Sequence, residues 1–366
     1  MLGLIFDKLV ANRSLEDADW RSLEQNALSD PRRAAAFDLS TLTIKSDIQQ
    51  RAALLQRVYP DFCDFCSETL GNPADLITTL WQVWLPLAQQ LGDRHQRVGR
   101  PFVQGILGGQ GTGKTTLGQL LTVLLHHLGL NALNWSLDDL YKTFSDRQAL
   151  QAQDPRLIWR GSPGTHDVAL GIETLDQLRQ PTSGQVISIP RFDKSLHHGA
   201  GDRTTPEPVQ NIDVILFEGW FVGFQPIDPA AFDQAPPPIF TEADRIFARD
   251  MNACLHDYLP LWQRLDSLWV LHLPDYRLSK QWRKQAEQQM KATGKPGMSD
   301  AEIDRFVDYF WRSLHPALFM PSVLQTADLA INIQPDHSMG ALYRGRDAES
   351  PLVKDSRWMA NRRNER

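Results

Sequence analysis

Cysteine is scarce in this chain: Cys63, Cys66 and Cys254 are the only three in 366 residues. That is too few for a disulfide framework and suits a reducing compartment. The C-x-x-C of "DFCDFC" has no second pair to complete a zinc site, and Asp61, Asp64 and Glu68 would raise a thiol pKa rather than lower it. Two small apolar residues on a helix is the simpler reading. An excess of charge is lacking too. With 38 basic and 44 acidic residues the net charge is −6, which gives no general attraction to nucleic acid or to an anionic membrane, so partners must be recognised locally. No apolar run approaches the ~20 residues of a spanning helix. The first twenty residues begin apolar but soon carry Asp7, Glu16, Asp17 and Asp19 with no small-residue cleavage site, a poor secretory signal. Repeats and low-complexity tracts are absent. The expectation is a soluble, cytoplasmic protein with no nucleic-acid or membrane partner; protein partners are not legible.

Residues 1–98 read as a helical N-terminal extension. "DIQQRAALLQRVY" has helical apolar spacing, and Leu76, Leu80, Trp84 and Ala88 form one stripe. Pro60 is expected to end one helix and Pro86 to kink or break another. From Pro101 short apolar runs alternate with longer helical ones, the pattern of a mainly parallel sheet flanked by helices. "PFVQGIL", "NALNWSL", "QVISIP", "DVILFEG", "SLWVLHL" and "DLAINI" read as its strands. Residues 167–180, 275–292 and 301–314 read as helices, and "DPAAFDQAPPPIF" as a proline-rich surface loop.

One stretch gives up side-chain packing almost entirely. In "GGQGTGKTT", Gly108, Gly109, Gln110, Gly111, Thr112, Gly113, Lys114, Thr115 and Thr116 contain G-x-x-x-x-G-K-[ST] between a strand and a helix. Glycines let successive N–H groups and a helix N-terminus point at phosphate oxygens. Lys114 adds a charge for the β and γ phosphates, and the Thr115 hydroxyl suits Mg2+. The expected ligand is ATP with Mg2+ in an α/β P-loop NTPase fold. A convincing N-K-x-D guanine-reading segment is missing.

The cradle does not choose a reaction, so the acids beside it must. Asp138 and Asp139 follow the second strand, where ligands bind beyond the carboxyl ends of parallel strands. They can accept a proton from an attacking hydroxyl or hold the metal; as a bland alternative they cap a helix. Glu218 ends "VILFEGW", the place of a metal-shell acid.

In that order "GGQGTGKTT", "SLDDLYKT", "RGSPGTHD", "IPRFDKSLHHGAGDR", "ILFEGWFVGF" and "QWRKQAE" resemble the P-loop kinases related to uridine kinase, phosphoribulokinase and pantothenate kinase, and within them the D-glycerate 3-kinases of plants and cyanobacteria. The resemblance spans Gly108 to about Glu287 and implies a kinase domain over 99–366 with a lid around 275–315. It implies that Asp138 is the catalytic base, although Asp139 stays open for that role. Leu140 replaces the aromatic residue of the uridine kinase pattern. It further implies that Asp139, Tyr141, His166, Asp167, Arg191, Lys194 and Arg203 line the acceptor pocket, and that Arg283 on the lid covers the transferring phosphoryl group. D-glycerate brings a carboxylate that must be paired on desolvation, which the basic turn segment 189–203 would supply and which a nucleoside would not require. The implied activity is phosphorylation of D-glycerate to 3-phosphoglycerate. The alternatives are the same chemistry on a pantothenate-like or nucleoside acceptor, or a nucleotide-dependent regulatory ATPase.

Overall fold

A computed structural model describes residues 2–182, 184–292 and 297–347. The end of the expected kinase region, 348–366, and residues 293–296 of the expected lid lie outside the described residues.

Six strands form the main sheet: β1 (Phe102–Gly108), β2 (Ala132–Ser136), β5 (Val214–Gly219), β6 (Ser267–His272), β7 (Leu329–Ile333) and β8 (Met339–Tyr343), in the order β2-β5-β1-β6-β7-β8. All neighbours are parallel except β7 and β8. Every residue of β1 is buried, as a strand covered on both faces requires. Its side chains alternate between two cores. Phe102 and Ile106 join Leu117, Leu121 and Leu124 of the following helix, while Val103 and Leu107 join Trp135, Phe217 and Val270 on the other face.

The first core is completed by the N-terminal helices. The helix Ile44–Phe65 contributes Ile48, Leu55, Val58 and Phe62, and the segment Leu80–Trp84 contributes Trp81 and Trp84. Phe6 lies 5.6 Å from Trp81 and Phe62 lies 6.0 Å from Trp84, centroid to centroid. Arg51 is buried with its guanidinium over Trp81. Gly99, at φ 67°, stops the last helix of this layer, and β1 starts three residues later. No helix among the described residues is long and apolar enough to cross a membrane.

Four expectations fail. Pro60 sits inside Ile44–Phe65 rather than ending it; burial of Val58 and Phe62 on either side outweighs the lost backbone hydrogen bond. "QVISIP" is not in the parallel sheet. Its strand, β3 (Ile187–Asp193), pairs only with β4 (Asp202–Val209) in an antiparallel hairpin, and Ile187 and Ile189 are buried while Ser188 is exposed. That alternation belongs to a half-covered strand. The proline-rich segment is not only surface, because its turn Pro229–Gln234 buries Phe232 against Phe319. Pro86 does not break its helix: it lies in the first turn of Leu85–Val98, which continues directly from a π-helical stretch, Leu80–Trp84. Cys63 and Cys66 are free thiols on the helical layer, and burial pushes Cys66 up to about 11.

Because one core joins the N-terminal helices to the helix that follows β1, Phe62→Ala is expected to cost about 3–5 kcal/mol and to lower a single cooperative urea transition followed by circular dichroism and by tryptophan fluorescence. Two separated transitions, with only the first displaced, would contradict a shared core.

Candidate active site

The glycine loop leaves β1 at its carboxyl end and enters the helix Lys114–His126. Gly111 and Gly113 take φ of 78° and 83°, the left-handed region that favours glycine. A Cβ on Gly108 would lie 2.5 Å from the Thr112 hydroxyl, and one on Gly111 would lie 2.8 Å from the indole of Trp282. Neither Gly108 nor Gly111 therefore leaves room for a side chain. Lys114 folds back so that its ammonium donates to the Gly109 carbonyl at 3.1 Å and lies 4.0 Å from Glu218. Burial pulls its pKa below the usual lysine range, against the opposing pull of Glu218 and Asp138.

Sheet register brings the acids to the same end. Glu218 pairs across with Ile106 of β1 and Ser136 of β2, and its Oε1 accepts from the Thr115 hydroxyl at 3.1 Å. Two residues past Ser136, Asp138 and Asp139 sit in a short 3-10 turn, Leu137–Leu140.

These two acids have different surroundings. Asp139 is spent on structure: its carboxylate accepts from the Ser136 amide at 3.3 Å, the Phe192 amide at 3.2 Å and Arg191 at 2.9 Å. Asp138 meets only side chains. Its Oδ1 accepts from the Tyr141 hydroxyl at 2.8 Å and its Oδ2 from the Lys194 ammonium at 2.6 Å. Burial pushes the Asp138 carboxyl upward, but Lys194 and Tyr141 outweigh it and hold the group below the ordinary carboxylate range.

The segment 160–167 runs antiparallel beside 139–142, with a bridge between Tyr141 and His166. His166 is buried and stacks on Tyr141 at 4.6 Å. Its Nδ1 meets the Tyr258 hydroxyl at 2.8 Å, and that oxygen also accepts from the Gly164 amide at 3.0 Å. The Tyr258 hydroxyl, which accepts from that amide, thereby ties the imidazole to the backbone of the same segment. Burial lowers His166 to about 3, so it is neutral. Asp167 caps the helix Val168–Arg179 by accepting from the Leu170 amide, and its other oxygen accepts from Arg203 at 2.8 Å.

The basic residues of the turn segment fall on the hairpin rather than in its turn: Arg191 is in β3 and Arg203 in β4. Arg191 is committed to Asp139, Glu207 and the Asn134 carbonyl. Arg203 is held by Asp167 and the Tyr141 carbonyl. Lys194 alone stands in the turn.

On the helix Leu278–Ala292, in the region expected to form the lid, Arg283 pairs with Glu287 at 3.1 Å and lies over Phe306 of the helix Asp300–Ser313. The residue of this helix that touches the glycine loop is its neighbour Trp282, stacked on His337, which in turn donates to the Gly111 carbonyl. Sequence reasoning missed Trp282, His337 and Tyr258. It also missed Arg147 and Arg160, which hold the hairpin turn by its carbonyls at Gly199, Ala200 and Gly201. A tryptophan beside the candidate lid arginine was the one available signal.

No protein-family model matches the chain. Among curated proteins, the chloroplastic D-glycerate 3-kinase of Arabidopsis thaliana is 35% identical over 231 residues, which is 60% of this chain and 49% of that protein. An uncharacterized kinase of Schizosaccharomyces pombe is 34% identical over 58% of this chain and 79% of its own length, and a probable ATP-dependent kinase of Saccharomyces cerevisiae is 32% identical over 56% and 74%. Of solved structures, the D-glycerate 3-kinase of Cryptococcus neoformans superposes with a TM-score of 0.63 at 28% identity, covering 71% of this chain and 97% of that one. The loop, the sheet and these relatives define an enzyme of the P-loop kinase class. Within that class the chain belongs to the family of the two yeast kinases, 79% and 74% of whose lengths it covers, and it is similar to the D-glycerate 3-kinases, spanning about half the length of the plant one.

Gly111→Ala meets both a positive φ and the Trp282 ring, so ATP affinity is expected to fall about tenfold or more by calorimetry with the far-ultraviolet spectrum unchanged. Adding Trp282→Ala should recover part of that loss; an unaltered affinity in the single variant would refute the close packing.

Proposed function

We propose that the protein transfers the γ-phosphoryl group of ATP to the primary hydroxyl of D-glycerate, giving 3-phosphoglycerate and ADP. The observation that carries this reading is the carboxylate of Asp138. It stands beside the phosphate loop with no backbone contact to occupy it, while its neighbour Asp139 is consumed by the turn and the hairpin.

The amides of Gly109 to Thr116 and the Lys114 ammonium would bind the β and γ phosphates. Thr115 and Glu218 fit Mg2+: a hydroxyl and a carboxylate already 3.1 Å apart leave its remaining positions to phosphate oxygens and water. Among the described residues no cluster of three or more His, Cys, Asp or Glu competes as an all-protein cage. When bound, the ion neutralises charge on the phosphate oxygens.

Asp138 takes the proton of the acceptor hydroxyl as its oxygen attacks phosphorus. Tyr141 fixes the carboxylate from one side. Lys194 is the cation positioned to receive the acceptor's carboxylate, since Arg191 and Arg203 already hold protein acids and serve to seat the hairpin. His166 and Asp167 wall the acceptor side. Arg283 would have to leave Glu287 to reach the transferring group, and a lid that rearranges on closing would also exclude water from the reaction. The relatives named as D-glycerate 3-kinases support the choice of acceptor over pantothenate or a nucleoside.

The test is ADP formation with D-glycerate, L-glycerate, pantothenate and uridine. D-glycerate is expected to have the highest kcat/KM, and turnover no faster than acceptor-free hydrolysis would overturn the assignment. Asp138→Asn should cut kcat about 10²–10⁴-fold with ATP affinity nearly unchanged, because the amide keeps the shape and loses the basicity. A normal rate in that variant, with loss in Asp139→Asn, would move the base to Asp139.

A further inference from the structure

We propose that Lys194 is a latch on the base: its ammonium occupies Asp138 Oδ2 until an anionic acceptor draws it away, so that only an acceptor bearing both a negative group and a hydroxyl frees the carboxylate. This rests on the reading of Asp138 as the proton acceptor and adds to it how the substrate class is selected.

Both oxygens of Asp138 are taken. The Tyr141 hydroxyl on Oδ1 is a fixture, because Tyr141 is 4% exposed, stacks on His166 and meets Phe192 edge-on at 5.1 Å. Oδ2 is therefore the oxygen that can be released, and its partner is built to leave. Lys194 has a side chain 60% exposed against 28% for Asp138, stands in the turn after β3, and makes no other ion pair among those described. A flexible four-carbon stem carrying a hydrated point charge can exchange one carboxylate for another at little cost.

The other assigned cations cannot take this part. Arg191 bridges two protein carboxylates, Arg203 is tied to Asp167 and a carbonyl, and Lys114 is folded onto Gly109. As long as Lys194 stays, Asp138 is a poor base, for a carboxylate stabilised by an ammonium at 2.6 Å holds a proton weakly. Once the acceptor's carboxylate pairs with Lys194, Oδ2 is open on the side that faces the acceptor. The hydroxyl O–H bond then breaks with its proton passing to Oδ2, the hydroxyl oxygen bonds to the γ phosphorus, and the bond from that phosphorus to the β–γ bridging oxygen breaks to release ADP. Asp138 later returns the proton to solvent. A neutral polyol offers Lys194 nothing, so the latch stays shut and the competing reaction is suppressed without a steric filter.

The experiment compares kcat/KM for D-glycerate with that for glycerol, its neutral counterpart, in the wild type, Lys194→Met and Lys194→Arg. Lys194 is exposed, so neither substitution endangers folding. In Lys194→Met the glycerate-to-glycerol ratio is expected to fall by at least about tenfold, from a lower value with glycerate and a higher kcat with glycerol, and Lys194→Arg should keep most of the discrimination. If Lys194→Met lowers both acceptors by the same factor, or leaves the ratio intact while the wild type phosphorylates D-glycerate, the latch is refuted and the kinase assignment stands. If the wild type does not phosphorylate D-glycerate at all, the assignment itself fails and takes the latch with it.

Discussion

The constraint on which the molecule depends is the close winding of main chain between Gly108 and Thr115. Side chains at Gly108 and Gly111 would run into Thr112 and Trp282, and the amide groups left facing the hollow, at the start of a helix, hold a fixed positive potential that needs an anion. Keeping such a turn rigid is costly for a flexible sequence, and the surroundings supply the stiffness. β1 is central and buried on both faces, the following helix is packed from one side by the N-terminal helices, and Trp282 and His337 press on Gly111. The N-terminal layer thus has a physical role in the site although it contributes no residue to it.

A second consequence follows from parallel register. Because β1, β2 and β5 all end at the same edge, Thr115, Glu218, Ser136 and the Asp138–Asp139 turn are gathered within a short span. Two adjacent aspartates there would repel each other if left alike. The fold separates their duties: Asp139 caps the turn and anchors the β3–β4 hairpin through Arg191 and the Phe192 amide, and Asp138 keeps a carboxylate answered only by Tyr141 and Lys194. One acid builds the site and the other is left available to it.

Much of this was legible in the sequence, for identifiable reasons. Buried parallel strands read as continuous apolar runs, so β1, β5, β6 and β7 were visible, and the glycine loop announced itself by composition and by its place between a strand and a helix. β3 was misplaced because an apolar run alone does not tell a sheet strand from one strand of a hairpin. β8 was missed because "MGALY" has a glycine in place of a continuous branched apolar run and follows a turn. Pro60 misled because local propensity yielded to packing. Among site residues, types and position suggested Asp138 and Asp139, and the family resemblance suggested Arg191 and Arg203, but not their pairings, which are set by contacts between segments dozens of residues apart. The division of labour between the two aspartates and the commitment of both arginines are visible only in three dimensions. Tyr258, 92 residues from the His166 it orients, carried no local signal at all.

The most direct test of the central claim is a calorimetric titration of the folded, Mg2+-loaded protein with ATP and, in parallel, with AMP. A cradle built for the β and γ phosphates predicts saturable ATP binding, competition by ADP, and an AMP affinity weaker by orders of magnitude. Equal affinities for ATP and AMP, or no heat with either, would contradict the account at its root.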